Sequence, residues 1–186
     1  MKRLTAIAIG LTIACSMQAH ADFSGKVVRI SDGDTITVLD GRNQQHRIRL
    51  NQIDAPESSQ AFGQKSRQNI SYIHNQNVYV VEDSRDRYGR VLGTVYLMQN
   101  GKAPTLKFRN SVNYKQVNDG YAWVYRQYNH SPELLTDEAN AKANNLGLWA
   151  LPESEKIPPW EWRKNGKKDG IRKLSSWRRL QSGTVA

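Results

Sequence analysis

Three carboxylates and an arginine lie close together between positions 32 and 57, beside residues typical of tight turns. Asp34, Asp54 and Glu57 would repel one another unless a cation lies among them. An all-oxygen set of donors suits a hard ion such as calcium or magnesium, and the planar fork of Arg49 can pair with two phosphate oxygens at once. A hard cation, a spare carboxylate and guanidinium groups are the parts that hydrolysis of a phosphodiester requires.

Each short motif also has an ordinary structural explanation. The Asp-Gly-Asp sequence at 32–34 is typical of a turn. It does not begin an EF-hand loop, because Asn43 stands where the twelfth-position glutamate should be. The segment 54–57 can begin a helix, with acids favourable to the helix dipole. The combination of these motifs with Arg49 and Arg90 is what favours a catalytic function.

Alternating β-branched residues predict strands around these motifs. Tight turns at 31–34 and 40–41 join the first three strands into a meander, which begins a small barrel or a sandwich. Two more strands are expected after a helix, with a charged loop at 83–90 between them. The five expected strands are Phe23–Ile30, Thr35–Leu39, Gln45–Leu50, Val78–Val81 and Val91–Met98.

Three helices are expected as well. The first covers about 59–74, with Phe62, Ile70 and Ile73 toward the core. The second covers 111–117, and the third follows a serine cap and a proline and runs over about 131–145. Of the remaining segments, 105–109 fits a short strand or an ordered loop equally well, 121–125 is an aromatic extended stretch, and 148–149 is an apolar anchor.

Residues 1–21 have the form of a secretory signal peptide. A basic start at 1–3 precedes an apolar run at 4–17 and a small-x-small cleavage site at 19–21. A lipoprotein signal ending at Cys15 fits less well. We therefore expect cleavage near Ala21, a secreted or periplasmic location, and a mature chain without a membrane span. Because Cys15 is the single cysteine, the mature chain has no disulfides.

Positive charge is concentrated at the C-terminal end. Residues 22–162 carry 17 Lys and Arg against 16 Asp and Glu, whereas residues 163–186 carry 8 against Asp169 alone. The net charge of +10 is therefore weak support for a nucleic-acid groove. We expect a Pro- and Trp-rich strap at 151–162 and a flexible basic tail at 163–186. The tail either holds a polyanionic substrate or is a solvated end.

Taken together, the motifs resemble the thermonuclease family, the staphylococcal-nuclease-like domains. The resemblance covers about Val27 to Trp149 and implies an α+β fold, a five-stranded OB barrel with about three helices, in a nuclease domain at 22–150. The matching motifs, in chain order, are Asp32-Gly33-Asp34-Thr35, Arg49 followed five residues later by Asp54, Pro56-Glu57, and Asp86-Arg87-Tyr88-Gly89-Arg90.

The resemblance also implies a role for each matched position. Asp34 and Asp54 match calcium-binding carboxylates, and the main-chain carbonyl of Ala55 completes the site where the family often has threonine. Asp32 matches a supporting acid that acts through water. The catalytic positions are Glu57 as general base and Arg49 and Arg90 as phosphate-gripping arginines. The substrate positions are Arg87 and Tyr88 beside a second phosphate, and Trp123 and Tyr125 beside a base.

These roles imply an exported, calcium-dependent nuclease that cleaves DNA and RNA with little sequence preference and favours single-stranded or frayed substrate. We expect a monomer with no stable protein partner. The alternative is a non-catalytic OB-type module that binds single-stranded nucleic acid or a protein ligand, although such a module has no need of Glu57 facing a phosphate. A zinc hydrolase is disfavoured because His46, His74 and His130 have no paired spacing.

Overall fold

The computed structural model describes residues 21–102, 104–128 and 131–166. The predicted signal peptide, apart from its last residue, and most of the predicted basic tail therefore lie outside the described residues, as does His130. Among the helices of the described ranges, we find none that is both long and apolar enough to cross a bilayer.

Five strands form a closed barrel, which confirms the predicted architecture. The barrel strands are β1 (Phe23–Ile30), β2 (Thr35–Asp40), β3 (Gln45–Leu50), β5 (Asn77–Arg85) and β6 (Val91–Leu97). They follow one another around the barrel in the order β1-β2-β3-β6-β5. Neighbouring strands are antiparallel except for β3 and β6, which run parallel. The first three strands keep their predicted bounds to within one residue.

Aliphatic side chains fill the barrel interior. Successive residues of a strand point to opposite faces, so every second position can be apolar and enclosed. The barrel residues that are completely buried on this inner face are Val27, Ile36, Val38, Ile48, Leu50, Val78, Val80 and Val95. The outward positions of the same strands are left for polar and charged side chains, which is where Arg49 lies.

A second, two-stranded sheet pairs β4 (Ile53–Asp54) with β7 (Trp123–Val124). Glu138 fixes this sheet, since its fully buried carboxylate accepts bonds from the Val124 N–H at 2.9 Å and from Lys142 Nζ at 2.8 Å. Asp54 is the register partner of Trp123. The small sheet therefore brings the aromatic stretch at 121–125 next to the segment 54–57.

The first helix, α1 (Gly63–Asn69), is shorter than the predicted 59–74. Its N-cap, Phe62, has a φ of 68°, in the left-handed region, so the helix does not continue back toward 59. It ends at Ile70, and a separate 3₁₀ turn (Ser71–Ile73) follows. Ile70 and Ile73 are fully buried as expected, whereas Phe62 is only partly buried.

The other two helices are α2 (Val112–Asn118) and α3 (Pro132–Ala143). Helix α3 begins at the predicted serine cap, Ser131, and α2 is also capped by a serine, Ser111. The ambiguous segment near 105–109 becomes a 3₁₀ turn at Phe108–Asn110. Strand β5 runs four residues beyond its predicted end at Val81, past an irregularity near 82–84, because it continues to pair with β6. The predicted charged loop at 83–90 is therefore shortened to a tight turn.

After α3 the chain folds back over the domain. A 3₁₀ turn at Gly147–Ala150 buries Leu148 and Trp149, and another follows at Glu153–Glu155. Residues 159–166 are then helical to the end of the last described range. We call this last segment the C-terminal helix.

Candidate active site

The register of β2 against β3 brings Asp34 and Arg49 together. Thr35 pairs with Arg49, and the Leu50 N–H donates to the Asp34 carbonyl at 2.8 Å. The Asp34 carboxylate, only 4% exposed, forms an ion pair with Nη1 of Arg49. Backbone hydrogen bonds of the barrel therefore set the position of both side chains.

Asp54 reaches the same guanidinium from the small sheet. Nη2 of Arg49 donates to Asp54 Oδ1 at 2.6 Å, and Asp54 is fully buried. The Ala55 N–H donates to Asp34 Oδ2 at 2.6 Å. One arginine thus joins two acids from different elements, and the main chain after Asp54 is tied to the turn that carries Asp34.

Helices α1 and α2 contact the turn at 32–34 and hold it in place. Gln116 Nε2 donates to the Gly33 carbonyl at 2.6 Å, and Asp32 Oδ1 accepts from the Asp34 N–H at 3.0 Å. Gly33 lies so close to α1 that a Cβ on it would be 1.9 Å from Ser66 Oγ. A larger residue at 33 would push the Asp34 carboxylate away from Arg49, which explains the glycine.

Burial and neighbouring charges shift the pKa values of the carboxyl groups in different directions. Burial raises the pKa of Asp32 to about 7, and the charge of Asp34 adds to that rise. Burial also opposes ionisation of Asp34, but the charge of Arg49 together with hydrogen bonds from the Ala55 N–H and from Arg49 outweighs it and holds the pKa of Asp34 below its ordinary value. Burial raises the pKa of Asp54 although two guanidinium groups oppose that rise.

Glu57 lies on a tight loop beside these acids. Its N–H donates to Gln60 Oε1 at 3.2 Å, and a Cβ on Gly63 would lie 1.9 Å from its carbonyl oxygen. The Glu57 side chain is 37% exposed, whereas the side chain of Asp54 is 1% exposed. Glu57 is therefore the carboxylate of this group that faces solvent.

Arg163 of the C-terminal helix bridges Asp54 and Glu57. Its Nη1 donates to Glu57 Oε1 at 2.8 Å and to Asp54 Oδ1 at 3.1 Å, and its Nη2 donates to Asp54 Oδ2 at 2.7 Å. The site therefore contains a second guanidinium, from a residue 109 positions after Asp54.

Arg90 is the residue before β6. Val91, which follows it, is the parallel partner of Ile48, and both are buried. Arg90 and Arg49 each neighbour one of these buried residues in sequence, so both face the outside of the barrel. Asp86 holds Arg90 in place by accepting from its Nε at 2.7 Å and from its N–H at 2.9 Å.

The predicted contacts to a second phosphate lie on the exposed turn between β5 and β6. Tyr88 is 70% exposed. Arg87 Nη2 donates to the Tyr88 hydroxyl at 2.8 Å, and its guanidinium carbon lies 4.9 Å from the centre of that ring. The turn therefore presents a cation and an aromatic ring to solvent without contact to the buried acids.

The predicted base-packing residues belong to a cluster of aromatic rings. Trp160 of the C-terminal helix stacks on Tyr125, with ring centres 5.6 Å apart and planes 22° apart. Trp123 meets Trp149 and Trp160 edge to face, with centres 4.4 and 5.9 Å away. Tyr125 also meets the exposed Tyr128 at 5.1 Å. Trp123 thus contributes to packing, and Tyr125 lies where the C-terminal helix covers it.

The residues gathered here offer carboxylate oxygens, the donor type that a hard divalent cation takes. Asp34, Asp54 and Glu57 contact two guanidinium groups, which leaves one negative charge uncompensated when all three are ionised. Among the residues described, no three His, Cys, Asp or Glu side chains are arranged to hold a metal ion. Main-chain oxygens, water and substrate would therefore complete a coordination shell around the two aspartates.

The contact of Arg163 with this site was not predicted from sequence, which assigned this residue to the basic tail. The predicted strap–tail boundary between 162 and 163 falls inside the C-terminal helix. A local signal does exist, because Pro159 stands at a position favoured at helix starts. The spacing of three between Trp160 and Arg163 then places both on one helix face. Which residues Trp160 and Arg163 contact depends on the tertiary fold.

Comparison with known proteins identifies a family for most of the chain. Residues 47–151 match the family described as Staphylococcal nuclease homologue. A micrococcal nuclease of Shigella flexneri is 42% identical over 167 residues, which cover 88% of this chain and 94% of that protein. An uncharacterized endonuclease of Haemophilus influenzae is 39% identical over 167 residues, 88% of this chain and 85% of that protein. A staphylococcal-like nuclease of Arabidopsis thaliana, CAN1, is 37% identical over 123 residues, 66% of this chain and 34% of that protein.

Proposed function

The chain belongs to the staphylococcal nuclease family and is a nuclease, and from that premise we propose that it is exported and depends on calcium. It hydrolyses phosphodiester bonds of DNA and RNA with little sequence preference. The observation that carries this proposal is the convergence of Asp34 and Asp54 on Arg49, with Glu57 joined to Asp54 through Arg163. The signal-like sequence at 1–21 supports export.

Calcium is proposed to bind at Asp34 and Asp54, together with the main-chain carbonyl of Ala55. When bound, it would offset the charge of the scissile phosphate and orient it. Asp32 supports this site through the turn that it closes, since its carboxylate accepts the Asp34 N–H. The depressed pKa of Asp34 keeps it ionised and available as an oxygen donor.

Glu57 is proposed as the general base. As the most exposed of the three carboxylates, it can take a proton from a water molecule that attacks phosphorus. The oxygen of that water forms the new bond to phosphorus, the bond to the 5′ oxygen breaks, and the leaving oxygen takes up a proton from solvent water. One product would carry a 3′ phosphate and the other a 5′ hydroxyl. Arg49 and Arg90 stabilise the charge that develops on the phosphoryl oxygens.

Substrate contacts are proposed on two surfaces beside the acids. Arg87 and Tyr88 would hold a second phosphate from the exposed turn between β5 and β6. Trp123 and Tyr125 would pack beside a base, which suits single-stranded or frayed substrate because every base has a π-face. For Tyr125 to do so, Trp160 must share or leave its ring.

Digestion of single-stranded DNA, duplex DNA and RNA by residues 22–186, each with calcium and with a chelator, tests the proposal. We expect calcium-dependent degradation of all three. Glu57→Gln should fold normally but lose about 10²–10⁴-fold in activity, the range typical of a lost general base. Glu155→Gln, at an exposed position of the strap, is the matched control and should retain activity.

Three outcomes would count against the proposal. Degradation that is unaffected by the chelator would remove the calcium requirement. Glu57→Gln protein as active as the parent would remove the general-base assignment. Retained binding without any degradation would favour the alternative, a non-catalytic OB-type module.

A further inference from the structure

The Arg163 guanidinium makes three hydrogen bonds to two carboxylates, which is unlike an ordinary surface ion pair. Isolated exposed pairs contribute little because the long side chains lose entropy when they are held. Here the grip on the buried Asp54 is bidentate, and such pairs are shorter, stronger and fixed in direction. The third bond, to Glu57 Oε1 at 2.8 Å, therefore comes from a guanidinium whose position is already set.

The C-terminal helix is anchored at further points, so Arg163 is not delivered by a loose segment. Trp160 stacks on Tyr125 one helical turn before it. Gln60, whose Oε1 accepts the Glu57 N–H, donates through Nε2 to the carbonyl of Ile157 just before the helix. The loop that carries Glu57 and the helix that carries Arg163 are thus tied together independently of their charges.

The hydrogen bonds from Arg49 and Arg163 do not occupy every acceptor position of Asp54 and Glu57. A carboxylate has about four lone-pair positions. The described residues use three of those on Asp54, through one bond from Arg49 and two from Arg163. On Glu57 the one bond from Arg163 goes to Oε1. Asp54 can therefore still coordinate a cation, and Oε2 of Glu57 can still receive a proton.

We infer that Arg163 is a positioning residue of the active site, which holds the Glu57 carboxylate beside Asp54 with Oε2 turned toward the attacking water. The inference rests on the proposed function, because it gives Arg163 a purpose through Glu57. It adds a third arginine to Arg49 and Arg90, from a segment that follows residues 47–151. Loss of Arg163 should slow the proton transfer without removing the cation site.

The test uses residues 22–186 with Arg163→Met, which removes the guanidinium and keeps the apolar stem. We expect kcat to fall by about 10–100-fold, the range seen when a group that orients a functional side chain is lost, with little change in KM. Calcium affinity, measured by calorimetry without substrate, should become tighter by roughly two- to tenfold, because a positive charge beside Asp54 is gone. A variant that is merely misfolded would bind calcium more weakly.

Two further variants make the test specific. Lys164→Met removes the neighbouring charge on the same helix, where the side chain is 62% exposed, and should leave kcat and calcium affinity unchanged. Arg163→Lys keeps the charge but offers a single donor centre that cannot grip Asp54 and Glu57 in the same fork. It should recover part of the lost kcat, and far-ultraviolet circular dichroism checks the fold of each variant.

Three results would overturn the inference. Arg163→Met with the kcat of the parent would show that Glu57 needs no such partner. A higher kcat would mean that Arg163 obstructs the site. A lower kcat with weaker calcium binding would make its role structural. Failure of the proposed function is distinguishable from these three results, because the unmodified chain itself would then cleave no nucleic acid in the presence of calcium. The inference about Arg163 would be wrong in that case too.

Discussion

Asp34 and Arg49 approach each other across one strand pair of the barrel, whereas Arg163 reaches the same acids from a helix that belongs to no sheet. On the barrel side, main-chain hydrogen bonds such as Leu50 N to Asp34 O fix the distances. On the C-terminal side, contacts of Trp160 and Gln60 do so. The barrel-side contacts should therefore be lost only when the whole domain unfolds, whereas the C-terminal helix can detach by local unfolding.

The largest effect is expected from Arg49→Met on the barrel side. Removing this guanidinium leaves two buried carboxylates without their shared partner, which typically costs about 3–5 kcal/mol in the free energy of unfolding. Urea denaturation measures that loss. Arg47→Met, an exposed position of the same strand, is the matched control and should change stability little. Equal losses for both variants would mean that the cluster contributes nothing special to barrel stability.

A smaller and more local effect is expected from Trp160→Ala on the C-terminal side. The ring contacts with Tyr125 and Trp123 are worth about 0.5–1.5 kcal/mol each beyond burial. Their loss should release residues 159–166 while the barrel stays folded. Hydrogen exchange measures this directly, as lost amide protection in 159–166 with unchanged protection in β1–β3. Loss of protection in both places at once would show that the two sides unfold as one unit.

The smallest effect is expected at Asp40, the last residue of β2, where the hairpin turn to β3 begins. Its carboxylate accepts from His46 Nε2 at 2.8 Å, and this bond holds the pKa of Asp40 below its ordinary value of 3.8. A depressed pKa stabilises the fold above about pH 4, and that contribution disappears as the pH falls through the folded-state pKa. Asp40→Asn should therefore be slightly less stable than the parent at pH 7 and no different near pH 2.

Urea denaturation of both proteins at the two pH values checks this prediction. Asp40 lies far along the strands from the acid cluster, so its loss should leave calcium binding unchanged. A stability difference that persists at pH 2 would show that the charge of the carboxylate is not what supports the turn.

The barrel side could be predicted from sequence because its determinants are local. Strands β1 and β3 have the predicted bounds, since alternation and turn residues record which face is buried. The motifs at 32–35 and 54–57 sit at strand ends, and register alone then brings Asp34 to Arg49. Sequence therefore predicted the fold and grouped Asp34 and Asp54 with Arg49, but it did not predict the ion pairs that join them.

Other features depend on tertiary contacts that no local pattern records. The start of α1 is delayed because Phe62 turns left-handed beside the loop held by Gln60, although the apolar spacing favours an earlier start. Arg163 contacts an acid 109 positions away, and its local composition is that of a solvated basic tail. Charge and composition describe what such a segment can bind, but only the fold decides which carboxylates it meets.

The parallel pairing of β3 with β6 also constrains the order in which the chain can assemble. A chain that emerges N-terminus first, from a ribosome or a translocation channel, presents the β1–β3 meander while residues 91–97 are still to come. Until they arrive, β3 has an unpaired edge of the kind that associates with other chains. Barrel closure joins residues distant in sequence, which is a slow step in folding. The interval before β6 docks is therefore the period in which this protein is most exposed to aggregation.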